Sequence, residues 1–454
     1  MPFFKNFSCK YFSYCLKCVI IIQHICDCCR ILKLRQSFAE KGSEKMNVAI
    51  LGYGVVGSGV AKVLKENAGI ITEKTGHELK VVKILDIRDF PLSEYRSIMT
   101  KNFEDIANDD TIDVVVETMG GVEPAFGFAS ACLEKGKHVV SSNKELVAAK
   151  GAELLEKAKK NNVNFFFEAA VGGGIPIIRP ISRCLAGNEI SEVAGILNGT
   201  TNYILTKMIT EGVSFEAALK TAQELGYAEK DPSADVDGLD AMRKICILAS
   251  LCFGTHLYPE GVYCEGIRRI TLADVAYAEK FGAVIKLVAR AKKLSESEVF
   301  AAVSPCFVKK SHMLAGVNDV FNACLVKGDM TGDVLMYGKG AGSEATASAV
   351  VGDIIDCADN SKERKVFGWK DTDADILSDY TKNETSLYVR CTVENKADAC
   401  RRLKEIFGNV VFLWRSNQPE NEVAFVTPVM EERKLRKVLS TTGVTVITTI
   451  RVLG

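Results

Sequence analysis

Val48-Ala-Ile-Leu-Gly52-Tyr-Gly54-Val-Val-Gly57-Ser-Gly59 decides how this chain begins to fold. An apolar run breaks into Gly52, Gly54 and Gly57 at G-x-G-x-x-G spacing and passes into the amphipathic Val60-Ala-Lys-Val-Leu-Lys65. The first glycine of such a turn permits the tight bend. The second lets backbone approach a pyrophosphate, and the third lets helix pack closely on strand. Free N–H groups at the helix start attract the anion. Working outward, short apolar runs at 47–51, 80–86, 112–117, 137–141 and 163–168 alternate with helical patterns, the rhythm of βαβ units in a parallel sheet. Asp86 and Arg88 end the second run: a carboxylate suits a ribose hydroxyl and an arginine suits a 2′-phosphate, so NAD and NADP both remain open.

The 454 residues suffice for two or three domains. The 57 basic and 57 acidic residues cancel, which argues against nucleic acid or an anionic membrane as partner. Six of the sixteen cysteines fall in the first 29 residues and the others are scattered, a pattern of reduced thiols in a cytoplasmic protein. Residues 1–45 carry an apolar run, Val19-Ile-Ile-Ile22, too short to span a bilayer. They also hold Cys26-x-Cys28-Cys29, which lacks a second ligand pair for structural zinc. Met46 is the expected initiator, and residues 1–45 an extension without a stable fold.

After Gly174 the pattern changes to longer helices at about 176–186, 202–210, 214–224, 237–253 and 273–290, with strands at 192–197, 262–265 and 299–308. This reads as a second α/β domain over 176–333, after which 334–358 returns to complete the first domain, 46–175. A charged linker spans 359–385. Residues 386–454 then run strand, helix, strand, strand, helix, strand, the ferredoxin-like βαββαβ order, and are expected to fold separately from the catalytic body.

The second strong signal is Leu225-Gly-Tyr227-Ala-Glu229-Lys-Asp231-Pro-Ser-Ala-Asp235-Val-Asp237-Gly-Leu-Asp240-Ala-Met-Arg-Lys244. Asp240 and Lys244 stand four apart on one helix face, and that helix continues as the apolar Ile245-Cys-Ile-Leu-Ala-Ser-Leu251. A lysine held among carboxylates at the mouth of a buried element can pass a proton to a carbonyl, while the carboxylates hold an ammonium group. Lys144 directly follows another strand, at the carboxyl edge where ligands of parallel sheets bind. A non-catalytic nucleotide sensor would not need Lys244 and the carboxylates around it, and a dehydrogenase of another amino-acid aldehyde is the other alternative.

From about Met46 to Asp356 the chain resembles the homoserine dehydrogenases. Gly52–Gly59, Ser142-Asn-Lys144, Glu168–Pro176, Gly195–Tyr203 and above all Gly226–Lys244 carry the resemblance. It implies NAD(P)-dependent interconversion of L-aspartate 4-semialdehyde and L-homoserine, on the route to threonine, methionine and isoleucine. It also implies Lys244 as proton donor, assisted by Lys144, with Glu229, Asp235 and Asp240 around the substrate. Gly52, Gly54, Val55, Val56, Gly57, Arg88, Thr118, Lys144, Gly226 and Gly342 would meet NADP or NAD. A sodium ion would rest on Glu168, Val171, Gly173 and Ile175. The C-terminal unit resembles an ACT regulatory domain, with threonine as its effector, although Glu394-Asn-Lys-Ala397 stands where a Pro-Gly turn is common. A cytoplasmic homodimer or homotetramer is expected.

Overall fold

The computed structural model describes residues 44–372 and 374–453. Most of the expected extension, Cys26-x-Cys28-Cys29 included, lies outside them. Glu44 and Lys45 continue the first strand beyond Met46 and pair with His77 and Glu78.

Six parallel strands, β1 (Glu44–Leu51), β2 (His77–Leu85), β3 (Met99–Thr100), β4 (Val114–Glu117), β5 (His138–Ser141) and β6 (Phe165–Phe166), form a sheet of order β3-β2-β1-β4-β5-β6. The order reverses between β1 and β4, and ligands of open α/β sheets bind at such a switch. The helix Val55–Glu66 leaves the glycine turn here. The chain returns to cover the sheet with the helix Ser343–Asp359. A Cβ on Gly59 would lie 2.9 Å from Ser343 Oγ and 3.2 Å from the Ala347 Cβ, so glycine sets how closely these helices pack. The return begins at Gly340, later than expected, because residues 334–339 belong to a strand of the second sheet.

That sheet contains β7 (Ile190–Ile196), β8 (Tyr263–Cys264), β9 (Ala283–Ser295), β10 (Glu298–Lys309), β11 (Phe321–Gly328) and β12 (Gly332–Lys339). The helix expected over 273–290 stops at Lys280. Gly282, at φ +76°, turns the chain, and Ala283–Ser295 pairs with β10 and β7. Its apolar spacing satisfied either period, and long-range pairing selected strand. The expected helix over 176–186 is shortened to 178–184, with a π-type turn at Pro180–Cys184, in a segment carrying Pro176 and Pro180. β3, β11 and β12 went unrecognised.

The C-terminal unit has the expected order: β13 (Glu384–Thr392), helix Lys396–Phe407, β14 (Val411–Leu413), β15 (Glu422–Val426), helix Glu432–Thr441 and β17 (Thr445–Leu453), with a two-residue β16 (Met430–Glu431) added. Asn395 caps the first of these helices, accepting from Asp398 N at 3.0 Å, in the segment where Pro-Gly is absent.

The unit is not separate, however. β17 pairs in parallel with β10, joining Cys306–Val308 to Arg451–Leu453, so one sheet runs β12-β11-β7-β9-β10-β17-β13-β15-β14. Buried polar contacts cross the same junction. Arg390 Nε donates to Asp274 at 3.0 Å, Tyr388 Oη donates to Asp274 at 3.0 Å, and Tyr277 Oη donates to Glu422 at 2.8 Å. The linker is likewise packed: Trp369 is buried and donates to His256 Nδ1 at 3.0 Å. Removing one member of a buried ion pair leaves the other uncompensated. Asp274→Asn should therefore destabilise the whole protein by about 3–5 kcal/mol, read as one lowered urea midpoint. Loss of the C-terminal transition alone would show that the unit folds independently.

Candidate active site

β1 delivers Leu51 to the turn, and Gly52 takes φ +93°, donating its N–H to Leu85 O at 2.8 Å. A Cβ on Gly57 would sit 2.0 Å from Gly52 O, so only glycine closes this turn. Gly54 caps the following helix without a side-chain hydrogen bond, which leaves first-turn N–H groups for an anion. Thr118, ending β4, locks the turn by donating its hydroxyl to Gly52 O at 2.9 Å. Ser343 Oγ donates to Val55 O at 2.8 Å and ties the returning helix to the same place. These features fit a dinucleotide pyrophosphate.

At the end of β2, Asp86 accepts from Tyr53 N at 2.7 Å and from Arg88 Nε and Nη2 at 3.0 and 2.8 Å. The Arg88 guanidinium holds this carboxyl far below the usual range. Asp86 is thus occupied, whereas the Arg88 side chain is 58% exposed beside Gly54.

A cleft of about 1250 Å³ joins the two lobes. Val56 and Gly59 line one side, Gly340 and Gly342 another, and Asn198, Asp235, Asp240, Lys144 and Lys244 its far end. Lys144 opens the helix Lys144–Lys160, whose start is fixed by Asn143: its Oδ1 accepts from Glu145 N and Leu146 N, and its Nδ2 donates to Gly121 O at 2.6 Å. Asp240 and Lys244 lie one turn apart on the helix Leu239–Phe253.

Their geometry centres on Asp240, which is 4% exposed. Its carboxylate meets Lys144 Nζ at 3.0 Å and Lys244 Nζ at 2.9 Å, and accepts from Asn198 Nδ2 at 2.9 Å. Burial alone would raise this carboxyl; the two ammonium groups and the amide reverse that and hold it well below the usual range. For Lys144, burial favours loss of the proton, but Asp240 outweighs it and the pKa rises. Lys244 also donates to Leu197 O at 2.8 Å. Asp235 is pushed upward by burial and by Asp240, although Asn198 Nδ2 donates to it at 2.7 Å. Asn198, at the end of β7, therefore holds both carboxylates with one NH₂ group. Nothing local in Gly195–Tyr203 signals this task, because both carboxylates lie some forty residues further along the chain.

Two expected groups are placed differently. Glu229 is exposed, outside the cleft lining, and only its carbonyl is engaged, by Gln223 Nε2 at 3.0 Å. Glu168 is buried, and its carboxylate already accepts N–H groups from Ile177, Ile178 and Arg179 at 2.5, 2.7 and 2.8 Å. It thereby caps the turn that begins at Ile177. Val171 and Gly173 do line the cleft, and Gly173 has φ +57°. The described residues contain no cluster of three or more His, Cys, Asp or Glu side chains suited to a metal, and no helix among them is long and apolar enough to cross a membrane.

A glycine turn at the switch point of a parallel sheet, whose following helix shares one cleft with two lysines on a buried carboxylate, defines an NAD(P)-dependent oxidoreductase. Residues 52–168 match the model of the homoserine dehydrogenase NAD-binding domain and residues 176–355 that of homoserine dehydrogenase. The homoserine dehydrogenase of Synechocystis sp. is 47% identical, with 68% of this chain and 72% of the relative covered. That of Corynebacterium glutamicum is 38% identical over 80% and 83%. A homoserine dehydrogenase structure from Thiobacillus denitrificans superposes with TM-score 0.80 at 36% identity, covering 91% of this chain and 99% of that one. A hyperthermophilic archaeal homoserine dehydrogenase in complex with NADPH gives TM-score 0.59 at 31% identity, over 69% and 98%. The chain belongs to the homoserine dehydrogenase family.

Proposed function

We propose that the cleft reduces L-aspartate 4-semialdehyde to L-homoserine, reversibly, with Lys244 as the proton donor. The observation that carries this reading is the Lys144–Asp240–Lys244 array, which shares one cleft with the first turn of the helix that leaves the glycine turn. Bound NAD(P)H supplies the hydride to the aldehyde carbon. Lys244, held between Leu197 O and Asp240, gives its proton to the carbonyl oxygen as charge develops there. Lys144 orients that oxygen and keeps the Asp240 charge balanced. Asp235 and Asp240 attract the substrate ammonium group. Glu229, on the exposed turn after Gly226, is the further carboxylate proposed for that ammonium group. A sodium ion would rest on the carbonyls of Val171, Gly173 and Ile175, since the Glu168 carboxylate is committed; no step depends on it.

Lys244→Ala should lower kcat by roughly 10²–10⁴, with NADPH affinity kept, as read by steady-state oxidation of NADPH with aspartate semialdehyde. Unchanged turnover would remove Lys244 from the mechanism.

NADP(H) is the proposed preferred cofactor, since Asp86 is spent on Arg88 and the guanidinium is open to a 2′-phosphate. Arg88→Ala should raise KM for NADPH by about tenfold or more, the value of a hydrogen bond to a charged group, and leave KM for NADH nearly unchanged. Equal losses for both would argue against the assignment.

We further propose that L-threonine acts through the ACT-like unit. An effector works only through differential affinity for two states, and the strand pairing β10–β17 supplies a path from that unit to the catalytic sheet. Threonine added to the same assay should inhibit wild type. Inhibition that survives disruption of the junction by Asp274→Asn in folded protein would move the effector site to the catalytic lobes.

A further inference from the structure

Beside the array on Asp240, a second ion pair crosses between the same two helices. Arg243 Nη1 lies 3.1 Å from Glu145 Oε1. Each partner is the chain neighbour of a catalytic lysine: Glu145 follows Lys144, and Arg243 precedes Lys244. Lys144–Asp240 runs cation to anion from the helix Lys144–Lys160 to the helix Leu239–Phe253, and Glu145–Arg243 runs anion to cation. Sliding one helix along the other until Glu145 met Asp240 would bring like charges together. Apolar residues of both helices, Leu146, Val147, Ala241 and Ile245 among them, belong to one large hydrophobic cluster. Interdigitated side chains restrict the offset of two packed helices, and crossing ion pairs of alternating sign select one register among the offsets that remain.

We infer that Glu145 and Arg243 are positioning residues, whose ion pair sets the offset between the two helices and thereby the spacing of Lys144 and Lys244 across Asp240. The inference rests on the proposed roles of the two lysines. Both side chains are partly open to solvent, Glu145 at 34% and Arg243 at 26%. A pair so exposed contributes little to stability. Its effect falls on geometry instead, where a misplacement of about 1 Å can cost about a hundredfold in rate.

The test is a double-mutant cycle in the full-length enzyme with Glu145→Gln, Arg243→Gln and both together. kcat, KM for aspartate semialdehyde, NADPH affinity by fluorescence and the thermal midpoint would be measured for each. Either single change should lower kcat by roughly 10–100-fold, with NADPH affinity and thermal midpoint close to wild type. The double variant should be no worse than the weaker single one, within about threefold, because both changes remove one interaction. The charge exchange Glu145→Arg with Arg243→Glu should recover part of the loss. Singles with wild-type kcat overturn the inference, and so do effects that multiply in the double variant or losses that follow the thermal midpoint. Wild-type enzyme inactive on aspartate semialdehyde would instead defeat the underlying functional reading.

Discussion

The arrangement depends on one buried carboxylate. Asp240 is ionised where a lone carboxylate would not be, and it remains so because Lys144, Lys244 and Asn198 reach it from three different elements. Burying a charge is costly unless it is paired and hydrogen-bonded. The carboxylate therefore enforces the approach of the nucleotide lobe, which brings Lys144, to the second domain, which brings Lys244 and Asn198. In return, Asp240 holds both lysines at the wall of the cleft, where the proposed chemistry needs them. Stability and chemistry share the same contact.

The sheets bring these elements together. β7 ends at Ile196 and hands over Leu197, whose carbonyl holds Lys244, and Asn198, whose amide holds two carboxylates. β7 lies between β11 and β9, β9 pairs with β10, and β10 continues into the C-terminal unit through β17. The part of the cleft lined by Asn198 and Lys244 is thus built on the sheet that carries the C-terminal unit.

Much of this was legible in the sequence, because the signals were local. The glycines at 52, 54 and 57 need no partner to be recognised, and Asp240 and Lys244 share a face by spacing alone. The βαββαβ order of residues 386–454 followed from turns and period-two runs. What failed was non-local. Ala283–Ser295 has apolar spacing compatible with helix, and only its neighbours make it a strand. That the Glu168 carboxylate gathers the amides of Ile177–Arg179 is likewise visible only in the folded chain. The separateness expected of the C-terminal unit overlooked a strand edge on β10 that only tertiary structure reveals.

The helix Ser343–Asp359 bears on how the molecule is made. Ala347, Val350, Val351, Ile354, Cys357 and Ala358 belong to the same hydrophobic cluster as Val48, Ile50 and Val60 on the first strand and helix. One side of the nucleotide-binding sheet therefore stays only partly covered on the ribosome, by the helix Val55–Glu66, until nearly three hundred further residues have emerged, a delay of about 15–60 s at ordinary synthesis rates. The N-terminal lobe, although translated first, completes its core late. During that interval it exposes a patch of Val, Ile and Ala on which chaperones act, and contacts of such long sequence separation slow folding.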